Sequence, residues 1–250
     1  MGLGRVGKTL ALYLSRRGEE FLGGYSSSPE TTAEALKAIG RGRVLRRGEV
    51  SRADVVLLST PDGEIEREAE RIARETQDLR GTAFFHCSGV RPLDVLEPLR
   101  KRGGLTGVFH PLFPFSEPDF ALRHLEGAYA GIEGGKFVEE TVKKWGFVPF
   151  PLPEDRALYH AGAVLSAGLL VGYLSQALGI AEKLSIPPGA YLRLATVALE
   201  AVGELGLREA LTGPWMRGDL KTVEKHLSAL KEEGEIYELL LSRIQRILSG

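Results

Sequence analysis

Gly2-Leu3-Gly4-Arg5-Val6-Gly7, followed by the helical run Lys8 to Arg17 and a closing Gly18, is the stretch that decides the fold. Glycines at its first, third and sixth positions have separate uses. The first permits a tight turn, the second lets the backbone approach an anion, and the third allows the following helix to pack closely. Free N–H groups at the start of that helix would face a diphosphate. Alone, such a match is weak evidence. Its context strengthens it, because short β-like runs follow at Phe21 to Tyr25, Val44-Leu45, Ala53 to Ser59, Thr82 to Phe85, Gly107 to Phe109 and Ala128 to Gly131.

Charged helical patterns at Glu64 to Glu75 and Phe137 to Trp145 separate some of these runs, and Val55 to Leu58 is continuously apolar, as a strand covered on both faces should be. The reading is an α/β chain with a Rossmann-type parallel sheet. The glycine motif should follow the first and central strand of that sheet, yet Met1 stands directly before Gly2. We therefore expect the first strand to be missing, with either a chain start upstream of Met1 or another segment in its place. The gap should expose the edges of its neighbours and loosen the turn.

After Phe150-Pro151-Leu152-Pro153 strand signals stop and helical patterns take over, which sets a dinucleotide-binding domain at 1–152 and a helical substrate and dimerisation domain at 153–250. Ala157 to Ala181 holds no Asp, Glu, Lys or Arg. It is long enough to span a bilayer, but His160, Ser166, Ser175 and Gln176 and the lack of aromatic anchors favour a buried helix. Further helices fit Tyr191 to Leu205, Leu220 to Glu233 with Asp219 as N-cap and Gly234 as stop, and a last one through Ile247.

The 250 residues carry 32 Lys+Arg against 33 Asp+Glu, a net charge of -1, so no global field recruits nucleic acid or anionic lipid. One cysteine, Cys87, excludes an internal disulfide, and no CxxC or HExxH spacing suggests a metal site. Met1 to Lys8 lacks the apolar core of a secretory signal. A reducing, cytoplasmic location is expected.

Site residues follow from strand ends, where open α/β sheets bind ligands. Tyr25-Ser26-Ser27-Ser28 closes the second strand without the Asp or Glu that would bind both ribose hydroxyls. Its serines fit a 2′-phosphate, and equally a polar turn capping the next helix. Thr60-Pro61 should border a cofactor, and Asp62 either joins them or caps the next helix. His86-Cys87-Ser88-Gly89 and His110-Pro111 end the next two strands, and Tyr159-His160 opens the first long helix. Ser88, His110 and His160 are the candidates for handling a substrate proton. Each histidine could instead only hydrogen-bond its surroundings, and Cys87 reads as a small buried apolar residue. Arg217, in the loop Leu211 to Asp219, could clamp a carboxylate or lie solvated.

Together Gly2 to Gly7, Ser59-Thr60-Pro61-Asp62, His86-Cys87-Ser88-Gly89, His110-Pro111-Leu112-Phe113-Pro114-Phe115, Tyr159-His160 and Thr212-Gly213-Pro214 through Gly218-Asp219 resemble the Rossmann-like oxidoreductases whose helical C-terminal half is catalogued as a domain of unknown function. That group is similar to pyrroline-5-carboxylate reductase and to coenzyme F420-dependent NADP oxidoreductases. The resemblance implies NADP, with NAD as the alternative, bound by Gly2, Leu3, Gly4, Arg5, Val6, Gly7, Tyr25, Ser26, Ser27, Ser28, Thr60 and Pro61. It implies a homodimer through the C-terminal helices and hydride transfer to the C=N or C=O of a small carboxylate-bearing metabolite. A non-catalytic dinucleotide-binding or sensor protein is the alternative expectation. Ser27 stands where relatives often carry Arg, and the lysine and asparagine pair of β-hydroxyacid dehydrogenases is absent between Ala157 and Gln176.

Overall fold

The computed structural model describes residues 1–249. Among the described residues seven strands form, β1 (Gly23–Gly24), β2 (Arg43–Val44), β3 (Val55–Leu58), β4 (Ala83–His86), β5 (Leu105–Pro111), β6 (Tyr129–Glu133) and β7 (Val148–Pro151). The helices are α1 (Arg5–Arg16), α2 (Pro29–Ile39), α3 (Ile65–Glu75), α4 (Glu97–Arg100), α5 (Pro118–His124), α6 (Lys136–Lys144), α7 (Arg156–Ser166), α8 (Gly168–Lys183), α9 (Pro188–Leu205), α10 (Leu220–Leu230) and α11 (Gly234–Ser249). Contacts divide the chain into two compact units, Met1–Leu170 and a second from Val171 onward.

The first unit holds two sheets. One is the parallel pair β1-β2, and the other runs β3-β4-β5-β6-β7. The pairs β3·β4, β4·β5 and β6·β7 are parallel, while β5·β6 is antiparallel, so β6 and β7 run against the rest. Register sets Leu58 beside His86 and His86 beside Val108, which brings the carboxyl ends of β3, β4 and β5 to one edge. β4 is buried along its length, with Phe84 packed among Leu58, Ile65, Ile72 and Leu99 and Phe85 among Phe109, Val138 and Trp145. Successive side chains on a strand point to opposite faces, so these two phenylalanines anchor the cores on the two sides of the sheet.

Local chemistry explains several boundaries. Ser28 caps α2, its hydroxyl accepting from Thr31 N–H at 3.2 Å, with Pro29 at the first helical position, and Gly40 closes the helix in the left-handed region at φ 73°. Asp219 caps α10 as its position suggests, accepting from Thr222 N–H. Gly234 is not a stop. Its φ of −71° is helical and it opens α11, while the break falls at Lys231, forced to φ 53°. β7, not among the expected strands, passes through Phe150-Pro151, because β6 alone flanks it and an edge strand tolerates proline.

By length and composition Arg156–Lys183 is one helical run apolar enough to cross a membrane. It is broken at Ala167, whose φ −126° and ψ −80° leave the helical region, into pieces of 11 and 16 residues. The expectation of burial fails in the single chain. Val171 is 68% exposed, and Leu165, Leu169, Leu194 and Leu199 are also exposed.

Glu68 on α3 is a buried carboxylate that ties the small sheet to the larger one. Tyr25 donates its hydroxyl to it, Arg47 donates at 2.7 Å, and Arg71 at 3.3 Å. Burial alone would push this carboxyl up, but the three donors outweigh it and hold it below the usual range. The folded state therefore binds its proton more weakly than the unfolded chain does. Its stabilisation is fully present above about pH 4.5 and is lost as pH falls through the folded value. Glu68→Ala should cost about 2 kcal/mol at pH 7 by leaving Tyr25 and Arg47 without an acceptor. Urea denaturation should show that penalty shrinking as pH drops below 4.5.

Candidate functional site

Two clusters meet the edge where β3, β4 and β5 end. The first is the glycine turn. Gly2 has φ 81°, and a Cβ there would lie 2.6 Å from the Ser59 backbone, so only glycine seats the turn against the end of β3. Gly7 is packed harder, since its Cβ would fall 2.0 Å from the Gly2 carbonyl and 2.5 Å from Ser59 Oγ. Gly4 differs, with no atom within 4 Å of its Cβ position. It is the N-cap of α1, and no side chain caps the helix or places an acid in its first turn. The first intrahelical bond is Lys8 N–H to the Gly4 carbonyl, so the N–H groups of Arg5, Val6 and Gly7 have no partner within the helix. This is an open anion seat of the kind a diphosphate needs.

Ser59, which the sequence places in a motif without giving it a role, fastens the turn. Its hydroxyl lies 3.0 Å from the Met1 carbonyl and 2.8 Å from that of Gly2, and its N–H donates to Met1 at 2.8 Å. Leu3 is buried and packs on Gly24, so its side chain belongs to the core. Arg5 is exposed beside the seat. Tyr25 is spent on Glu68, Ser26 bonds Ser28 and Thr32, and Ser28 caps α2 and donates to Glu30. Ser27 alone of the three serines is exposed. Thr60 Oγ1 is buried without a partner, next to Pro61, and Asp62 caps no helix.

The second cluster gathers His110, Tyr159, His160, Arg156 and Asp62. Asp155 caps α7 by accepting from Leu158 N–H at 2.9 Å, which fixes the first turn and sets Arg156, Tyr159 and His160 on one side of it. The Tyr159 hydroxyl lies 2.6 Å from His110 Nδ1, and the His160 ring centroid is 6.2 Å from that of His110. Two glycines make room. A Cβ on Gly89 would stand 2.8 Å from the His110 ring, and one on Gly131 would stand 3.1 Å from the Tyr159 hydroxyl. Arg156 donates to Glu133 at 2.5 Å, while its other terminal nitrogen is buried and unpartnered.

Burial lowers His110 to about 4, with the charges of His160 and Arg156 adding to the effect and Asp62 opposing it. Burial pushes the Tyr159 hydroxyl up, so both groups are uncharged at neutral pH. His86 is fully buried and satisfied on both ring nitrogens, Nδ1 accepting from Ser88 N–H and Nε2 facing the Pro92 carbonyl, each at 3.3 Å. It too is lowered to about 4, chiefly by burial. Ser88 Oγ accepts from Val90 and Arg91 N–H and braces the loop. Burial lifts the Cys87 thiol to about 12, far from a nucleophile. Arg217 and its loop lie in the second unit, where Asp219 caps α10. No cluster of metal-ligating side chains occurs among the described residues.

Sequence reasoning singles out His160 and gives its neighbour Tyr159 no role. The Arg156-x-x-Tyr159-His160 spacing behind a capping Asp155 was the available signal, since it places all three on one helical face.

A histidine held low in the folded state takes up its proton first in the unfolded chain. Stability should therefore rise between about pH 4 and the unfolded value near 6.5 and stay level above it, by on the order of 3 kcal/mol for His86 alone. Urea denaturation between pH 4 and 8, with histidine NMR titration showing His86 and His110 neutral at pH 5.5, checks this. A flat stability profile with a normal His110 titration would contradict the burial.

The comparisons fit this architecture. Residues 1–111 match the Rossmann-like domain, and residues 127–244 match the domain of unknown function DUF2520. No curated protein sequence matches the chain. Among solved structures, a Bacteroides fragilis protein provisionally named an NADP oxidoreductase is 23% identical, with a TM-score of 0.79 and 98% of this chain and 96% of that one covered. A Thermotoga maritima protein is 21% identical with a TM-score of 0.75, covering 100% and 98%. A reductive aminase from Aspergillus terreus, in complex with NADPH and ethyl levulinate, is 15% identical with a TM-score of 0.67, covering 99% and 90%. At these identities the likeness is one of fold. Family models thus match both halves of the chain, a Rossmann-like domain followed by a DUF2520 domain.

Proposed function

We propose that the protein is an NADP-dependent oxidoreductase that delivers hydride to the C=N or C=O carbon of a small carboxylate-bearing metabolite. The observation that carries this reading is the open seat at Gly4, set at the same sheet edge as the uncharged His110–Tyr159 pair. Residues 1–152 would hold the dinucleotide, and residues 153–250 would supply substrate and subunit contacts.

The free N–H groups of Arg5, Val6 and Gly7 receive the diphosphate. Thr60 offers its unpartnered hydroxyl, and Pro61 borders the ribose and nicotinamide side. Ser27, exposed and lying in a segment without a carboxylate, faces the adenosine ribose and favours a 2′-phosphate. The NADPH complexes of the Aspergillus terreus enzyme agree with that choice of cofactor. When bound, the reduced nicotinamide supplies two electrons and a hydrogen to the substrate carbon.

The substrate nitrogen or oxygen must then gain a proton. We assign it to the Tyr159 hydroxyl, which stays protonated at neutral pH and is replenished through His110 Nδ1. His160 lies next to this pair, and Ser88 holds the loop beneath it. Arg156, with one buried unpartnered nitrogen, is suited to a substrate carboxylate.

The exposed apolar side chains of α8 and α9, among them Val171, Leu194 and Leu199, exceed what a soluble chain leaves uncovered without a partner. A second copy of the chain is the occupant we infer. Light scattering after gel filtration should give twice the mass of one chain, and Leu194→Glu with Leu199→Glu should halve it.

Tryptophan-to-nicotinamide fluorescence titration tests the cofactor assignment. Gly4→Leu should abolish NADPH binding while costing about 1 kcal/mol of stability, because its side chain enters open space. Gly7→Ala should cost about 3 kcal/mol, because its Cβ collides with backbone. Tyr159→Phe should keep NADPH affinity and lower kcat on imine or keto-acid substrates by roughly 10²-fold or more. NADPH binding with no turnover on any such substrate would leave the sensor reading instead.

A further inference from the structure

Ser26-Ser27-Ser28, at the carboxyl end of β1, carries no cation of its own, and the nearest charged residue in the chain is an acid. Glu30, exposed in the first turn of α2, accepts from the Ser28 hydroxyl at 2.6 Å. A phosphate monoester is nearly dianionic at neutral pH. Set against these serines it would meet a carboxylate, while Ser26 and Ser28 are already engaged within the loop and only Ser27 is exposed. Hydroxyls alone do not offset that repulsion, so the compensating charge must come from a neighbouring element.

β2 is that element. It pairs in parallel with β1, Gly23 with Arg43 and Gly24 with Val44, and Leu45 N–H donates to the Gly24 carbonyl at 3.2 Å. Continued past the strands, this register sets Arg46 level with Ser26 at the same edge. Neighbouring strands lie about 4.8 Å apart, less than the length of an arginine side chain.

Five arginines stand between positions 41 and 52, and their partners tell them apart. Arg43 donates twice to Glu49, at 2.7 and 3.2 Å, and Arg52 lies 3.5 Å from the same carboxylate. Arg47 donates to Glu68, with its guanidinium 5.1 Å from the centre of the Tyr25 ring. Arg41 precedes β2, at the opposite end of the strand from the serines. Arg46 remains. Glu49 accepts from its backbone N–H at 2.9 Å and so fixes the chain there, yet among the described residues no carboxylate pairs with its exposed guanidinium.

We propose that Arg46 is the residue that selects NADPH over NADH, its guanidinium reaching from β2 to the 2′-phosphate while Ser27 donates from the other side. The proposal rests on the dinucleotide assignment above. It moves the selecting charge from the loop after β1, where relatives often carry Arg and this chain has Ser27, to the strand beside it. Glu49 serves the same end, because it holds the Arg46 backbone while Arg43 occupies the carboxylate that would otherwise quench the free guanidinium.

Titration of the full chain with NADPH and with NADH, followed by nicotinamide fluorescence at fixed ionic strength, tests this with Arg46→Gln, Arg46→Lys and Arg41→Gln. The unaltered protein should bind NADPH about tenfold or more tighter than NADH, and Arg46→Gln should remove that advantage by weakening NADPH alone. Arg46→Lys should restore part of it. Arg41→Gln, the same loss of charge at the other end of β2, should change neither affinity. In proton–nitrogen NMR, adenosine 2′,5′-bisphosphate should shift the Arg46 Nε–H signal, and adenosine 5′-monophosphate and inorganic phosphate should not. NADPH binding that Arg46→Gln leaves unchanged, or weakens together with NADH, would overturn the proposal while the dinucleotide assignment stands. An equal loss with Arg41→Gln, or an equal shift with inorganic phosphate, would overturn it as well, since a general basic surface would then carry the effect. If the unaltered protein binds neither nucleotide, the dinucleotide assignment falls and the proposal falls with it.

Discussion

The contact between Gly7, the Gly2 carbonyl and the Ser59 hydroxyl is the constraint on which the rest of the first unit depends. It locks the start of α1 against the carboxyl end of β3 with no room for one methyl group. The orphan N–H groups of the helix are therefore held at the sheet edge, where the partial positive charge of the helix end also lies. A looser junction would let α1 rotate, and the seat at Gly4 would lose its direction although every residue of the motif were still present. Ser59 matters because it accepts no substitute of the same shape without its hydroxyl. Alanine there would leave the Gly2 carbonyl short of that donor.

A second constraint is electrostatic. Burial holds the His110 ring neutral, with the charge of Arg156 adding to the effect, and burial keeps the Tyr159 phenol protonated against that same positive charge. That state suits proton delivery. With its proton on Nδ1 the neutral imidazole can pass it to the Tyr159 oxygen as the phenol gives its own to the substrate, and an ionised phenol could not donate. Glu133 neutralises much of Arg156 from one side only, which leaves its other face able to attract an anion. The same residues that set protonation would thus also draw a carboxylate toward the reacting pair.

What could be read from the sequence was local. The glycine turn, the apolar run at β3, the Asp219 cap and the general α/β-then-α order each depend on neighbours within a few residues, and all appear in the fold. The pairing of His110 with Tyr159 spans 49 positions and depends on where β5 and α7 come to rest, so no local pattern marks it. Gly89 and Gly131, which admit the two rings, look in sequence like ordinary turn or strand glycines. The role of His86 was legible only in part. Its position at a strand end made it notable, but burial and two backbone partners make it a loop brace. The break at Ala167 inside an uncharged run leaves no signal, because neither proline nor a cap stands there.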